Sequence, residues 1–338
     1  YMPSFPDLRM PIMRFIPSHS RRMGPWLSLC LLILGCSGSA ESTGRFLSWD
    51  SAGIRIWEYT DVQGNDAEEW SLAGTPSLVI GKEDGEDPYL FSRIRGVFPL
   101  PFGVVAVADG QSNEIRIFDR NGGHLQTAGG EGSGPGEFTR LRKTISNMAD
   151  SAAVTEIMGA TISIFDSEGN WGRSTTCKPA SSSFTGLRVE GALAGGEFLV
   201  RGMQQFQTEA PTVGYHREPS VYQICRADGE PGPILAEVPD LEFETLTREG
   251  KLVSFPLEMG GRAAAVLVGD AVMVGVTDRL ELRRYGADGG LKGILRVEIP
   301  PSPVDDETIA QWIEHQLESV VDPEVARQTR QRYRDRIW

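Results

Sequence analysis

Residues able to do chemistry are few in this chain of 338 residues. Its four histidines are His19, His124, His216 and His315. None has a partner at metal-ligand spacing or in a Ser-His-Asp pattern, so zinc sites and hydrolytic triads gain no support. The most unusual stretch is Gly129-Gly130-Glu131-Gly132-Ser133-Gly134-Pro135-Gly136-Glu137-Phe138. It follows no buried parallel strand and opens no helix, which sets it apart from phosphate-cradling loops. Glu131 and Glu137 invite a calcium ion, but the ligand order of an EF-hand is absent and they read as solvated carboxylates. The acidic run Glu83-Asp84-Gly85-Glu86-Asp87 reads as a solvated face in the same way. No catalytic, cofactor-binding or metal residues are assigned, and calcium is the one cofactor kept as an alternative.

Cys36 is the exception, and its context gives it a chemical role. Arg14, Arg21 and Arg22 precede an apolar run from Trp26 to Leu34, too short to span a bilayer but suited to a secretory signal. The run ends in Ile33-Leu34-Gly35-Cys36, which resembles the bacterial lipobox whose Cys is lipidated and becomes the mature N-terminus. Residues 1–35 therefore read as a signal peptide with lipobox, and residues 36–50 as a flexible Ser/Gly-containing tether. The implied location is the cell envelope, with a lipid anchor in the membrane. Ser37 fits sorting to the outer membrane, facing the periplasm or the surface. Of the remaining cysteines, Cys177 and Cys225 lie in the body, as a disulfide or as two buried thiols.

The formal charge is −13, and the body is more acidic still, because the first 35 residues hold four Arg and one Asp. That balance excludes nucleic acid as the partner, since phosphate backbones are bound by Lys and Arg. With 39 Gly, 21 Pro and 8% aromatic residues, the composition is that of a turn-rich globular protein.

To position any site, the chain must supply elements, and these repeat. Ile115-Arg116-Ile117-Phe118-Asp119-Arg120-Asn121-Gly122 is echoed by Ile162-Ser163-Ile164-Phe165-Asp166-Ser167-Glu168-Gly169. Looser copies run from Val221 to Gly229 and from Leu280 to Gly289, and another begins at Ile54. Alternation followed by an Asp/Gly turn marks a β-hairpin. Apolar stretches at 103–109, 152–157, 197–200 and 271–276 precede these hairpins and read as inner strands. About four strands per unit is the strand count of a propeller blade. Tyr89, Phe91, Phe98 and Phe102 lie ahead of the first clear unit and are expected to pack between blades.

Val107, Asp109, Asn113, Ile115, Phe118 and Asp119, followed by the crossing Gly129–Phe138, resemble an NHL-type repeat. The resemblance is closest over 97–140 and extends to 141–175 and 262–300. The chain is similar overall to bacterial six-bladed β-propeller lipoproteins, which implies an all-β fold with blades over 51–302. Residues 303–338 carry helical spacing at Ile309, Trp312, Ile313 and Leu317, and read as a helical insertion or tail. In the similar lipoproteins more strand sequence follows such a stretch, so about one blade is expected beyond it. The function this implies is a binding or scaffold module for a protein, peptide or glycan. The alternative is a propeller enzyme, such as a calcium-dependent lactonase or metal-dependent lyase, with an axial site.

Overall fold

A computed structural model describes residues 45–60, 71, 74–148, 151–156, 160–166, 168–182, 184–193, 195–204, 212–300, 303–318, 320 and 322–334. An N-terminal hairpin, β1 (Arg45–Ser51) and β2 (Ile54–Thr60), precedes four antiparallel meanders. The first contains β3 (Ile94–Pro99), β4 (Val105–Asp109), β5 (Glu114–Phe118) and β6 (His124–Gly129). The second contains β7 (Leu141–Met148), β8 (Ser151–Glu156), β9 (Thr161–Asp166) and β10 (Trp171–Thr176). In the third, β11 (Phe184–Ala192), β12 (Phe198–Gln204), β13 (Gly214–Cys225) and β14 (Pro231–Arg248) are joined by β15 (Lys251–Pro256). The fourth holds β16 (Ala263–Val268), β17 (Ala271–Val276), β18 (Leu280–Gly286) and β19 (Leu291–Val297). Two helices follow, α1 (Asp306–Leu317) and α2 (Pro323–Arg334).

The repeated phrase in the sequence is the hairpin between the third and fourth strands of each meander. In the first, Asp119 N–H donates to Gly123 O at 2.8 Å, and Asp119 Oδ1 accepts from the N–H groups of Asn121 and Gly123. Asp166 repeats this with Glu168 and Asn170. In the third and fourth meanders the aspartate moves two places along: Asp228 Oδ1 accepts from Glu230 N–H, and Asp288 Oδ1 from Gly290 N–H. The glycine stays put, with φ of +85° at Gly122, +86° at Gly169, +88° at Gly229 and +85° at Gly289. A left-handed residue is what the turn demands, whereas the carboxylate can reach its amides from either position.

The core lies between the sheets. Ile115, Ile117 and Ala128 of the first meander pack with Phe138, Leu141, Val154 and Phe165 at the second. Ile162 and Ile164 meet Leu187, Val189, Phe198 and Val200 of the third. Leu199, Tyr222 and Ile224 meet Val272, Val274 and Tyr285 of the fourth. The first strands also touch in succession, β3 on β7, β7 on β11 and β11 on β16. Sheets that share a core with each neighbour and gather their first strands together have the topology of propeller blades. Among the described residues there are four such sheets, against about five expected within this chain from a six-bladed plan.

Strand order corrects the sequence expectation. The apolar stretches read as inner strands are β4, β8, β12 and β17, the second strand of each sheet. A second strand has a sheet neighbour on each side and faces turned towards neighbouring sheets, so it is largely apolar. Apolar continuity therefore reports burial on two faces and not proximity to the centre.

One boundary shifts as well. Residues 45–50, within the stretch read as a tether, are part of β1, paired with β2 from Arg45↔Thr60 to Ser51↔Ile54. The hairpin then joins the fourth sheet, where β2 runs parallel to β19 with Arg55 opposite Gly293. The helical stretch is as expected. Asp305 caps α1 by accepting from Thr308 N–H at 2.9 Å, Trp312 meets Tyr333 edge-on at 5.0 Å, and Arg330 pairs with Glu314. Cys177 and Cys225 form a disulfide, with Cα atoms 5.7 Å apart, that ties the end of the second sheet to β13.

Candidate functional site

The glycine-rich run is a folded crossing that closes on itself. Gly130 N–H donates to Asn113 O, Phe138 N–H to Gly130 O, and Gly132 N–H to Phe138 O. Gly129 has φ +87°, and a Cβ there would stand 2.9 Å from Asn113 O and from the Phe138 ring, so glycine is required. Glu137 folds back, and its Oε2 accepts from Gly134 N–H at 2.9 Å. Phe138 is 1% exposed and meets Phe165 with ring centres 5.9 Å apart.

Polar side chains of the NHL-like stretch fasten the segment ahead of β3 to the first sheet. Asp109 is 1% exposed and accepts from the N–H groups of Ser92, Arg93 and Gln111. Burial raises its pKa, but the three amides and the nearby Arg116 outweigh this and hold it below the usual value. Arg116 pairs with Glu114 at 2.9 Å, donates to the carbonyls of Asp87 and Leu90, and lies over the Phe91 ring. At the third and fourth sheets Asp240 takes a comparable place, accepting from Ala263 N–H at 2.8 Å and pairing with Arg201 at 3.0 Å. Beside it, burial pushes the Tyr222 hydroxyl up to about 12 despite Arg201.

Under the crossing lies a groove of about 370 Å³. Ser133 and Glu137 line it from the crossing, and Thr161, Ser163, Trp171 and Ser174 from β9 and β10. Thr161 and Ser163 share a face of β9 and stand opposite Thr176 and Ser174 of β10. Their hydroxyls pair across the strands, Ser163 Oγ to Ser174 Oγ at 3.0 Å and Thr161 Oγ1 to Thr176 Oγ1 at 2.9 Å. Trp171 Nε1 donates to Ser174 Oγ at 3.2 Å, while the residue stays 41% exposed. Among the described residues the groove is lined by one carboxylate and by no Lys or Arg.

A second groove of about 270 Å³ is lined by Glu237, Asp278, Arg279, Glu281 and Arg283. Asp278 and Glu281 are engaged in ion pairs: Arg217 pairs with Asp278, and Arg283 and Arg296 pair with Glu281, the last two at 3.0 Å. Burial raises the Glu281 pKa, but the hydrogen bonds from Arg296 and Arg283 bring it below its ordinary value. The first groove is the better candidate, because its hydroxyls keep bonding capacity.

The described histidines line neither groove. His124 Nε2 lies 2.9 Å from Thr127 Oγ1 and its ring meets Phe118 edge-on. His216 stacks on Phe243 at 5.5 Å, and His315 is exposed beside Glu318. Among the described residues no three His, Cys, Asp or Glu side chains cluster as a metal site. Cys36 and His19 lie outside the described residues.

Tyr89 and Phe91 pack on Phe118 at 5.6 and 6.1 Å, and Phe98 is buried. Phe102 departs from expectation: it is 94% exposed, with φ +63° in the turn between β3 and β4. The apolar alternation of Ile162 and Ile164 marks the opposite face of β9 and carries no sign of the groove residues. The signal that reveals them is Thr161-x-Ser163 with Ser174-x-Thr176, hydroxyls at the period of a strand.

No family model matches the chain. A stretch of 73 residues is 33% identical to the RING finger protein nhl-1 of Caenorhabditis elegans. It covers 22% of this chain and spans only 7% of that protein's length. Among solved structures, the chain is similar to a Bacteroides fragilis protein described as exported, at 16% identity over 78% of this chain and 68% of that one, with a TM-score of 0.40. It is also similar to virginiamycin B lyase from Staphylococcus aureus, at 13% identity over 62% and 71%, TM-score 0.29. Regucalcin from Agrobacterium tumefaciens matches at 12% over 67% and 88%, TM-score 0.26. At these scores the fold rests on the chain's own sheets and core layers. No described helix is long and apolar enough to cross a membrane.

Proposed function

We propose that this chain is an exported, lipid-anchored envelope protein with an NHL-like propeller of six-bladed plan, which captures a ligand in the groove under its crossing loop. The observation that carries the reading is Trp171, a large ring left 41% exposed beside a wall of ordered hydroxyls. Rigid scaffolds present recognition groups in this way. The Cys177–Cys225 disulfide supports export, because such bonds persist in oxidising compartments. The lipid anchor rests on Ile33-Leu34-Gly35-Cys36.

The experiment is thermal melting of the soluble body against glycan, peptide and lipid fractions of a bacterial envelope, with Trp171→Ala alongside. At least one fraction is expected to raise the melting temperature of the wild type and not of the variant. Equal shifts in both, or none in either, overturn the reading. Calcium-dependent turnover of a lactone panel would replace it with the enzymatic alternative.

A further inference from the structure

We infer that the groove takes a neutral saccharide, a proposal that rests on reading the groove as the ligand site. Three properties of its lining select this class.

First, the hydroxyl wall has bonding capacity left over. A hydroxyl carries one donor and two acceptor sites. When Ser163 and Ser174 pair, one proton is spent on the pair and the other stays available. Trp171 Nε1 occupies one acceptor site of Ser174, and either hydroxyl of the pair can still be the donor. The Thr161–Thr176 pair repeats the arrangement two residues along. The wall thus offers donors and acceptors side by side at strand spacing, the pattern that neighbouring hydroxyls on a sugar ring can answer.

Second, the aromatic platform is held still. Gly136 lies so close to Trp171 that a Cβ on the glycine would stand 3.1 Å from Trp171 Cβ and Cγ. Together with the Nε1 bond, this contact seats the indole and leaves part of its surface to solvent. An indole combines a large apolar surface with a polar tip, and the C–H face of a pyranose is an apolar surface edged with polar groups.

Third, the charge is wrong for anions. Among the described residues Glu137 is the groove's one carboxylate, and no Lys or Arg lines it. Phosphate, sulfate and nucleotides need charge-assisted donors, which this lining lacks. A carboxylate is instead a strong acceptor for sugar hydroxyls. An extended peptide is the less suitable occupant, since recognition of its main chain runs through an open strand edge, whereas these hydroxyls stand on the face of the sheet.

The test is calorimetric titration of the soluble body with chitohexaose, cellohexaose and maltohexaose, and with polysialic acid as the anionic arm. At least one neutral hexasaccharide is expected to bind, and Trp171→Ala to weaken it by about tenfold or more. Trp171→Phe should recover part of the loss, and Glu137→Gln should weaken binding while the melting temperature stays close to that of the wild type. The inference is overturned if none of the three binds, if polysialic acid binds more tightly than they do, or if Trp171→Ala and Glu137→Gln both leave binding unchanged. Should a peptide fraction, and no hexasaccharide, depend on Trp171, the saccharide falls while the groove remains the ligand site.

Discussion

Asn113 Oδ1, in the turn between β4 and β5, accepts the backbone N–H of Leu141, the first residue of the next sheet, at 2.9 Å. One side chain thereby sets where the second blade begins. Asn113 also has φ +57°, a conformation that Asn tolerates better than most residues. Replacing it with Ala removes the acceptor, leaves a buried N–H unpaired and strains the turn, at a cost of about 1–3 kcal/mol. Asn113→Gly relieves the strain but not the lost bond, so it should fall between Ala and wild type in urea unfolding. If Asn113→Ala and wild type unfold at the same urea concentration, the joint is not held by this bond.

Asp109 gives the fold an acid-sensitive contact. Its pKa is lowered in the folded protein, so the carboxylate contributes stability that is complete above the unfolded value of about 3.9 and is lost as pH falls through the lower folded value. Asp109→Asn should be less stable than wild type at pH 6, and the gap should close below about pH 4. Urea midpoints measured from pH 6 to pH 3 test this. A gap that is constant with pH would remove the carboxylate from the account.

The disulfide between Cys177 and Cys225 spans a sequence separation of 48 residues. In the chain-entropy treatment a loop of that size is worth about 4 kcal/mol. Reduction, or Cys177→Ser with Cys225→Ser, should lower the unfolding midpoint accordingly, and the oxidised protein should migrate faster than the reduced one on a denaturing gel. An identical midpoint with and without reductant would show that the bridge adds nothing.

Cys36→Ser tests the anchor. The variant should move from the membrane fraction to the soluble one, and intact protein should incorporate labelled fatty acid only with Cys36 present. Retention of the variant in salt-washed membranes would refute the lipobox.

How legible all this was in the sequence depended on distance along the chain. The hairpins at Asp119, Asp166, Asp228 and Asp288 were readable because a turn is built from its own few residues. The crossing Gly129–Phe138 and the capped helix after Asp305 were readable for the same reason. The register of first and second strands was not, because Ala106–Ala108 are apolar through burial on both faces, which looks the same at any radius. Nor was the groove, which needs both Glu137 and Trp171, two residues separated along the chain by three strands of the second sheet. The disulfide stayed open because spacing alone does not place two Cα atoms.

The parallel pairing of β2 with β19 sets Arg55–Tyr59 against Gly293–Val297. Pairings between such distant segments carry the largest loop-closure cost and form slowly. During synthesis the β1–β2 hairpin therefore emerges long before its partner exists, with one edge of β2 bare. Whatever shields that edge in the interval acts on a nascent chain, and sequence changes in β2 should show first in folding yield and only afterwards in the stability of the finished protein.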